Sequence, residues 1–217
     1  YYTPPSEAID EIQIIRGAAS LQYGTQFGGL LNFVFKKPNS NKRIELITRN
    51  TIGNNNLMTN FTSLSGTINK TSYYTFINYK KGNGFRPNTG YNSLNLYGFL
   101  NHKFSDKLEI SSEITYMHYL TQQAGGLTDK MFYENPLQSN RSRNWFEVDW
   151  MLYNGKLLYE PTAQTKLSVN IFGLNASRNS LGYRTNRVNQ SDLGGVRDLI
   201  KGKFKNYGIE SKFLHKY

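Results

Sequence analysis

Residues 14 to 38 read IIRGAASLQYGTQFGGLLNFVFKKP, and the composition of the chain changes immediately after them. Four glycines, at positions 17, 24, 28 and 29, separate two short apolar runs. We expect these runs to form two strands, because glycine tolerates positive φ angles and lets the connecting backbone turn sharply. Beyond Pro38, Tyr, Asn, Ser and Thr alternate with aliphatic residues. The stretch is therefore a compact unit in front of a long strand-rich region.

The composition of the 217 residues excludes several kinds of site. Cysteine is absent, which excludes disulfide frameworks and thiolate metal sites. The three histidines, His102, His118 and His215, are scattered, and we expect no metal site of the protein's own. No apolar run approaches the roughly 18 residues of a transmembrane helix. Because no catalytic constellation is present, we expect neither an enzyme nor a cofactor.

The chain is basic, with 26 Lys and Arg against 15 Asp and Glu and a net charge of +11. This excess indicates nucleic acid, an anionic membrane surface or an anionic ligand as a partner, or the uneven charge of a fragment. The basic residues form neither a single run nor a helical face, which disfavours nucleic acid. Sixteen tyrosines suit a boundary between apolar and aqueous surroundings.

From Ile44 onward the hydrophobic pattern has period two. Leu108, Ile110 and Ile114 alternate with Glu109, Ser111 and Glu113, so one face of a strand meets an apolar medium and the other meets water. The pattern predicts roughly eight strands, many of them longer than the usual five or six residues. The predicted ranges are about 44–52, 57–69, 72–81, 92–104, 108–120, 146–152, 167–171 and 203–217.

The connections between these strands also alternate. Short turns fall near Asn69, Asp106 and Pro161, whereas long loops cover 82–91, 122–144 and 179–202; the short connection near Gly53 is an exception. Short turns on one side and long loops on the other are typical of an outer-membrane barrel. A soluble β-sandwich remains an alternative, although its strands would be shorter and its loops less asymmetric.

The segment IDEIQIIRGAASLQYGTQFGGLLNFVFKKP, residues 9–38, resembles the end of the plug domain of TonB-dependent receptors. The positions that match the family pattern are Glu11, Ile15, Arg16, Gly17, Ser20, Tyr23, Gly24, Gly28, Gly29, Asn32, Lys36, Lys37 and Pro38. Ala18 stands where proline is common, and Leu31 where isoleucine is usual. The resemblance implies that residues 1–37 are the C-terminal part of a plug domain and that residues 38–217 are the first strands of a transmembrane barrel.

The implied fold class is an all-β membrane protein, part of a large antiparallel barrel. A closed eight-stranded barrel is filled by its own side chains, whereas barrels of about 22 strands enclose a plug. The first residues lack the start of a secretory signal and the last residues stop inside a strand pattern, so we expect a segment of a longer protein. The implied location is the outer membrane of a Gram-negative bacterium.

The resemblance implies energy-coupled uptake of a ferric siderophore or ferric citrate, with iron carried only as a chelated substrate. The implied partners are outer-membrane lipid and lipopolysaccharide, the ferric chelate, and the inner-membrane TonB complex acting through a preceding region. Three alternatives remain. In the first, the transporter carries an oligosaccharide, a peptide or cobalamin instead. In the second, the barrel is a structural or receptor subunit of a larger assembly. In the third, the chain is a soluble basic β-domain that binds nucleic acid.

Two sets of candidate ligand-binding residues follow. The segment YGTQFGGLLNF looks most like the ferric citrate receptors, which implies that Gln26 faces the ligand with Gln22 nearby; alternatively, both amides satisfy backbone groups. The long loops also collect arginines, whose guanidinium groups bind carboxylates bidentately, and tyrosines for stacking. They are Arg86, Arg141, Arg143, Arg178, Arg184, Arg187 and Arg197, with Tyr91, Tyr133 and Tyr183. The alternatives for the arginines are lipopolysaccharide phosphates and loop carboxylates such as Asp129 and Asp192.

Arg16 has a separate predicted role. By resemblance, an arginine in this motif pairs with a glutamate on the inner barrel wall and holds the plug in place. Glu109, Glu113 and Glu147 are the candidate partners, because we expect all three to face the lumen. A shielded pair is costly to break when one charge loses its partner, so it suits either a releasable contact or a static brace.

Overall fold

The computed structural model describes residues 3–17, 28–183, 188–190, 192 and 194–217. The elements are a 3-10 helix (Ser6–Ala8), β1 (Ile9–Ile15), β2 (Leu30–Phe35), β3 (Glu45–Gly53), β4 (Leu57–Ile68), β5 (Thr71–Gly82), β6 (Tyr91–Ser105), β7 (Leu108–Gln122), α1 (Asp129–Glu134), β8 (Trp145–Thr162), β9 (Thr165–Gly182) and β10 (Asp198–His215). Across these ranges, every helix is too short or too polar to cross a membrane.

The strands form two antiparallel sheets. β1 and β2 pair with each other, and β3 to β10 form one eight-stranded sheet in which each strand pairs with the next along the chain. A single sheet in chain order is typical of an up-and-down barrel wall, whereas a sandwich would divide its strands between two packed sheets. The prediction of an all-β antiparallel fold is confirmed. We call β1–β2 with the preceding 3-10 helix the N-terminal unit, and β3–β10 the wall.

The two ends of the wall differ in the length of their connections. At one end the strands are joined by two-residue turns at 69–70, 106–107 and 163–164. At the other end lie three long loops, 83–90, 123–144 and 183–197, of which the last is described in part. The short connection after β3 lies at the same end as the long loops, and Asn55 and Asn56 both adopt φ of +56° there. Two successive positive φ values are typical of a tight hairpin turn.

The wall has an inner and an outer face, and the N-terminal unit defines the inner one. Phe35 of β2 contacts Phe76 of β5 and Tyr97 of β6, with ring centroids 5.9 and 4.5 Å apart. Residues paired across antiparallel strands share a face, so the strand pairing assigns every other wall residue to the inner or the outer face.

A cluster of buried residues lies where the N-terminal unit meets the wall. Ala8 is fully buried, and Phe61, Tyr74, Phe76 and Tyr97 are at most 5% exposed. Each aromatic pair of this kind adds about 0.5–1.5 kcal/mol to the stabilisation from burial. The N-terminal unit is therefore held to the inner face by an aromatic cluster.

Candidate ligand-binding site

The long loops at one end of the wall are bound to one another by arginine and asparagine side chains. Arg86 of the first long loop donates to the carbonyl oxygens of Gln138 (3.3 Å) and Gly125 in the second. Asn88 donates to the carbonyl oxygens of Gln123 and Arg141, also in the second loop. Arg86, predicted to bind a ligand, therefore donates its hydrogen bonds to backbone carbonyl groups of the neighbouring loop.

Arg141 has a similar position between the second and third loops. It is 5% exposed and donates to the carbonyl oxygen of Gln190 at 2.6 Å. Its guanidinium lies 5.2 Å from the ring centroid of Tyr183, and that of Arg197 lies 4.5 Å from the same ring. The predicted residues Arg141 and Tyr183 are thus brought together, in a contact that packs the loops.

Asp192 is the carboxylate to which two of the arginines converge. Arg143 donates to its Oδ1 at 3.1 Å, and Arg197 forms a second ion pair with the same carboxylate. The Asp192 side chain is 4% exposed, whereas the Arg143 side chain is 42% exposed. Pairing of loop arginines with Asp192 was the alternative that the sequence left open. Arg143 keeps a solvent-facing side that a ligand can reach.

A space of about 620 Å³ lies on the inner face of the wall, just below these loops. Tyr91, predicted from the sequence, lines it together with Lys80, Ser93, Tyr119, Thr121 and Phe146. Thr3, which precedes the 3-10 helix, also lines it. We call this space the inner-face chamber. It combines one ammonium group with phenol and hydroxyl donors, the groups that bind an oxygen-rich anion.

Strand pairing places further residues on the inner face at the level of the chamber, in a row across five strands that we call the chamber row. Lys80 pairs with Ser93, Ser93 with Tyr119, Tyr119 with Val148, and Val148 with Arg178, so all five lie on the inner face at one level. Arg178 belongs to β9 rather than to the last loop, and its guanidinium lies 5.0 Å from the Phe146 ring centroid. Lys80 and Tyr119 were not predicted from the sequence, although their parity along the strands was a usable signal.

The carboxylates proposed to pair with Arg16 lie on different faces. Glu113 pairs with Asn154 and lies on the inner face, where its Oε2 accepts from Tyr97 at 3.0 Å. Glu109 shares that face because it lies four residues away on the same strand. Glu147 pairs with Leu120, and the prediction that it faces the lumen is wrong, because the pairing of β7 with β8 places it on the outer face.

A different ion pair joins the N-terminal unit to the wall. Arg49 of β3 lies 4.0 Å from Glu7 of the 3-10 helix, with the carboxylate on the N-terminal unit and the cation on the wall. The Arg49 side chain is 66% exposed, so the pair contributes at most about 1 kcal/mol. Across the described part of the chain, the ion pairs do not include Arg16. Its pairing with Glu109 or Glu113 stays a prediction.

The described glycines of the motif shape the ends of β1 and β2. Gly17 and Gly29 have φ of +80° and +98°, and a Cβ on Gly29 would lie 2.4 Å from the carbonyl oxygen of Ile15. Asn32 donates from Nδ2 to Gln13 Oε1 at 2.8 Å across the two strands. Six predicted residues, namely Gln22, Tyr23, Gly24, Gln26, Arg184 and Arg187, lie outside the described residues.

No protein-family model matches the chain, and no curated protein matches its sequence. Solved structures do match. The chain is similar to the ferric citrate transporter FecA in its unliganded form, with a TM-score of 0.77 and 18% identity over 95% of this chain and 31% of that one. It is also similar to the ferric-catecholate import receptor Fiu from E. coli K12, with a TM-score of 0.69 and 10% identity over 95% of this chain and 36% of that one.

A third similar structure is the siderophore receptor PirA from Acinetobacter baumannii, with a TM-score of 0.61 and 16% identity over 94% of this chain and 32% of that one. The chain thus spans 31–36% of the length of these three proteins. At such identities the likeness shows the fold. The fold predicted from the sequence, a partial antiparallel β-barrel with the end of its plug, is confirmed.

Proposed function

We propose that this chain is part of an outer-membrane transporter that imports a ferric chelate, either ferric citrate or a ferric siderophore. The observation that carries the proposal is the inner-face chamber, in which Lys80 and the tyrosines Tyr91 and Tyr119 face a common space. The similarity of the fold to FecA over 95% of this chain supports the choice of substrate class.

The chemistry of the chamber fits an anionic chelate. Iron chelates built from carboxylate or catecholate groups present negatively charged oxygens, which bind ammonium, guanidinium and phenol donors through charge-assisted hydrogen bonds. Lys80 and Arg178 supply the cations of the chamber row, and Arg143 adds an exposed guanidinium at the loops above it. A chelate would pass Arg143 first and then bind in the chamber against the N-terminal unit.

The partners follow from the same proposal. The outer face of the wall would contact outer-membrane lipid and lipopolysaccharide. In the half of the wall nearer the short turns, this face carries the exposed apolar side chains of Ile171, Ile209 and Phe213. Energy for import would come from the inner-membrane TonB complex, acting on a region of the protein outside this chain. The N-terminal unit, held by aromatic contacts and the exposed Glu7–Arg49 ion pair, is the part that would move.

The test is uptake of radioactive iron by cells that express the full-length protein in a strain lacking the gene. Ferric citrate and a ferric catecholate, both labelled with radioactive iron, and cobalamin labelled with radioactive cobalt are offered separately at low micromolar concentration. We expect iron uptake from one of the two chelates to depend on the gene and to stop when a protonophore removes the proton-motive force.

Two results would contradict the proposal. Gene-dependent uptake of cobalamin, an oligosaccharide or a peptide, without uptake of iron, would support a transporter but contradict a ferric chelate as its substrate. Unchanged uptake of every cargo, together with loss of a larger outer-membrane complex on gene deletion, would instead favour a structural or receptor subunit.

A further inference from the structure

Three metal-ligating side chains from two strands converge on the outer face of the wall. His118 of β7 pairs in register with Asp149 of β8, and Leu120 of β7 pairs with Glu147. One nitrogen of His118 and one oxygen from each of Glu147 and Asp149 lie within 4.8 Å of one another. We propose that His118, Glu147 and Asp149 bind a divalent transition-metal ion such as Zn²⁺.

The separation of the ligand atoms suits a shared ion. His118 Nδ1 lies 2.8 Å from Asp149 Oδ1. Imidazole and carboxylate ligands bind Zn²⁺ at about 2.0–2.2 Å, so two of them on one ion lie roughly 3 Å apart. One imidazole nitrogen and two carboxylates form a ligand set that divalent transition metals accept. Glu147 needs only a side-chain adjustment to join the other two.

Neighbouring polar groups hold the two carboxylates in place. Tyr116 donates to Asp149 Oδ1 at 3.2 Å, and Ser177 of β9 donates to Asp149 Oδ2 at 3.5 Å. Asn179 donates to Glu147 Oε2 at 3.0 Å. Hydrogen bonds of this kind orient metal ligands. Glu147 Oε2 and Asp149 Oδ2 each keep a lone pair for the ion, and at Asp149 Oδ1 the ion would replace the hydrogen bond with His118.

The site is open to ligands from outside the protein and is not neutralised by a basic residue. The side chains of His118 and Asp149 are 31% and 38% exposed, so water can complete the coordination. Among the ion pairs of the described chain, neither carboxylate contacts Lys or Arg. Lys201 and Lys203 share this face on β10, but β9 intervenes, which places them about 10 Å from β8.

The proposed site is independent of the import of a chelate. The chamber residues Lys80 and Tyr119 face inward, whereas His118 faces outward from the adjacent position on β7. A bound ion would cross-link β7 and β8 through three side chains, in addition to the backbone hydrogen bonds between the strands. Its expected effect is stabilisation of the wall by mass action, as for any ligand that binds only the folded protein.

The experiment uses the full-length protein purified in detergent, with Zn²⁺ alone as the titrant in calorimetry and Co²⁺ as a spectroscopic probe. We expect one saturable Zn²⁺ site and a Co²⁺ visible absorption band that Zn²⁺ removes. His118→Asn and Glu147→Gln should each weaken Zn²⁺ binding at least tenfold and abolish the rise in melting temperature on adding Zn²⁺.

The matched control is His102→Asn. His102 lies on the same outer face, but its Nδ1 bonds to the Thr71 hydroxyl at 2.8 Å, and this variant should bind Zn²⁺ as the parent does. Circular dichroism verifies the fold of each variant, and Glu147→Gln serves if His118→Asn does not fold. Equal Zn²⁺ affinity in the parent and the folded variants, or no saturable binding by the parent, would overturn the proposal and leave the His118–Asp149 contact a hydrogen bond alone.

Discussion

The rings of Phe35 and Tyr97 pack against each other at a tilt of 37°, with centroids 4.5 Å apart, and Tyr97 also donates a hydrogen bond to Glu113 at 3.0 Å. Phe35 is the last residue of β2, whereas Tyr97 lies in the middle of β6. The single ring of Tyr97 therefore links the N-terminal unit to a carboxylate on the wall. Any movement of the N-terminal unit away from the wall must first separate these two rings.

Phe35→Ala should loosen the N-terminal unit. Loss of the ring removes contacts with both Phe76 and Tyr97, at a cost of about 1–3 kcal/mol for a partly buried phenylalanine. Amide hydrogen exchange of residues 9–15 in the full-length protein should become faster by tenfold or more. Leu31→Ala is the control, because Leu31 is 57% exposed and should leave exchange unchanged. Equal acceleration by both variants would show that Phe35 has no special role.

Gly29→Ala should disrupt the pairing of β1 with β2. The backbone of Gly29 has φ of +98°, and an added Cβ would lie 2.4 Å from the Ile15 carbonyl oxygen. Strain of this kind costs on the order of 1–3 kcal/mol, before the backbone shifts to relieve the clash. Gly28→Ala is the matched control, since a Cβ there meets no atom of the described residues within 4 Å. The measurement is the yield of folded full-length protein, and equal yields from the two variants would contradict a special role for Gly29.

Asp192→Asn should release the third loop from the second. The change removes the charge that Arg143 and Arg197 share and leaves two guanidinium groups without their carboxylate, a cost of about 1–3 kcal/mol. Trypsin should then cleave within 183–197 at least several-fold faster on intact cells. Asp129→Asn, at the exposed start of α1, should not change the rate. Unchanged cleavage in Asp192→Asn would mean that other contacts fix the loop.

Lys80→Ala should weaken binding of the anionic chelate, because it removes the ammonium group that lines the inner-face chamber. We expect a rise in Kd of about tenfold, or roughly 1.4 kcal/mol, and a smaller dependence of Kd on salt concentration. Lys81→Ala has the same charge change on the opposite face and is the control. For each variant, fluorescence quenching by the chelate measures the Kd and its dependence on salt concentration. Equal weakening by the two variants would indicate an effect of net charge rather than of the chamber.

The sequence predicted the strands of the wall well because their signal is local. The pattern over 44–52 corresponds to β3, Glu45–Gly53, and that over 108–120 to β7, Leu108–Gln122. The patterns over 146–152 and 167–171 were too short, because β8 and β9 continue for 18 residues each. The missed half of β9 is its loop-side half, where polar residues such as Asn175 and Ser177 on the outer face obscure the alternation. The missed half of β8 is its turn-side half, where Leu157 and Leu158 place apolar side chains on both faces.

The faces of β8 were predicted incorrectly for a different reason. Phe146, Val148 and Trp150 are the more apolar set, so a pattern within one strand assigns them to lipid and Glu147 to the lumen. The pairing with β7 reverses this, since Val148 pairs with the inner residue Tyr119 and is 2% exposed. Which side a strand presents is set by its neighbours, and that information is absent from the strand's own residues. The convergence of His118 with Glu147 and Asp149 was hidden for the same reason.

The fixed parity of the wall also limits how its gene can change in length. One codon inserted near Trp150 would exchange the two sides of the remaining half of β8, so that side chains now on the inner face would lie on the outer face. Two inserted codons would restore the order at the expense of a local bulge. Strand length in this protein is therefore expected to vary in even steps, while the loops above it are free to vary by any number.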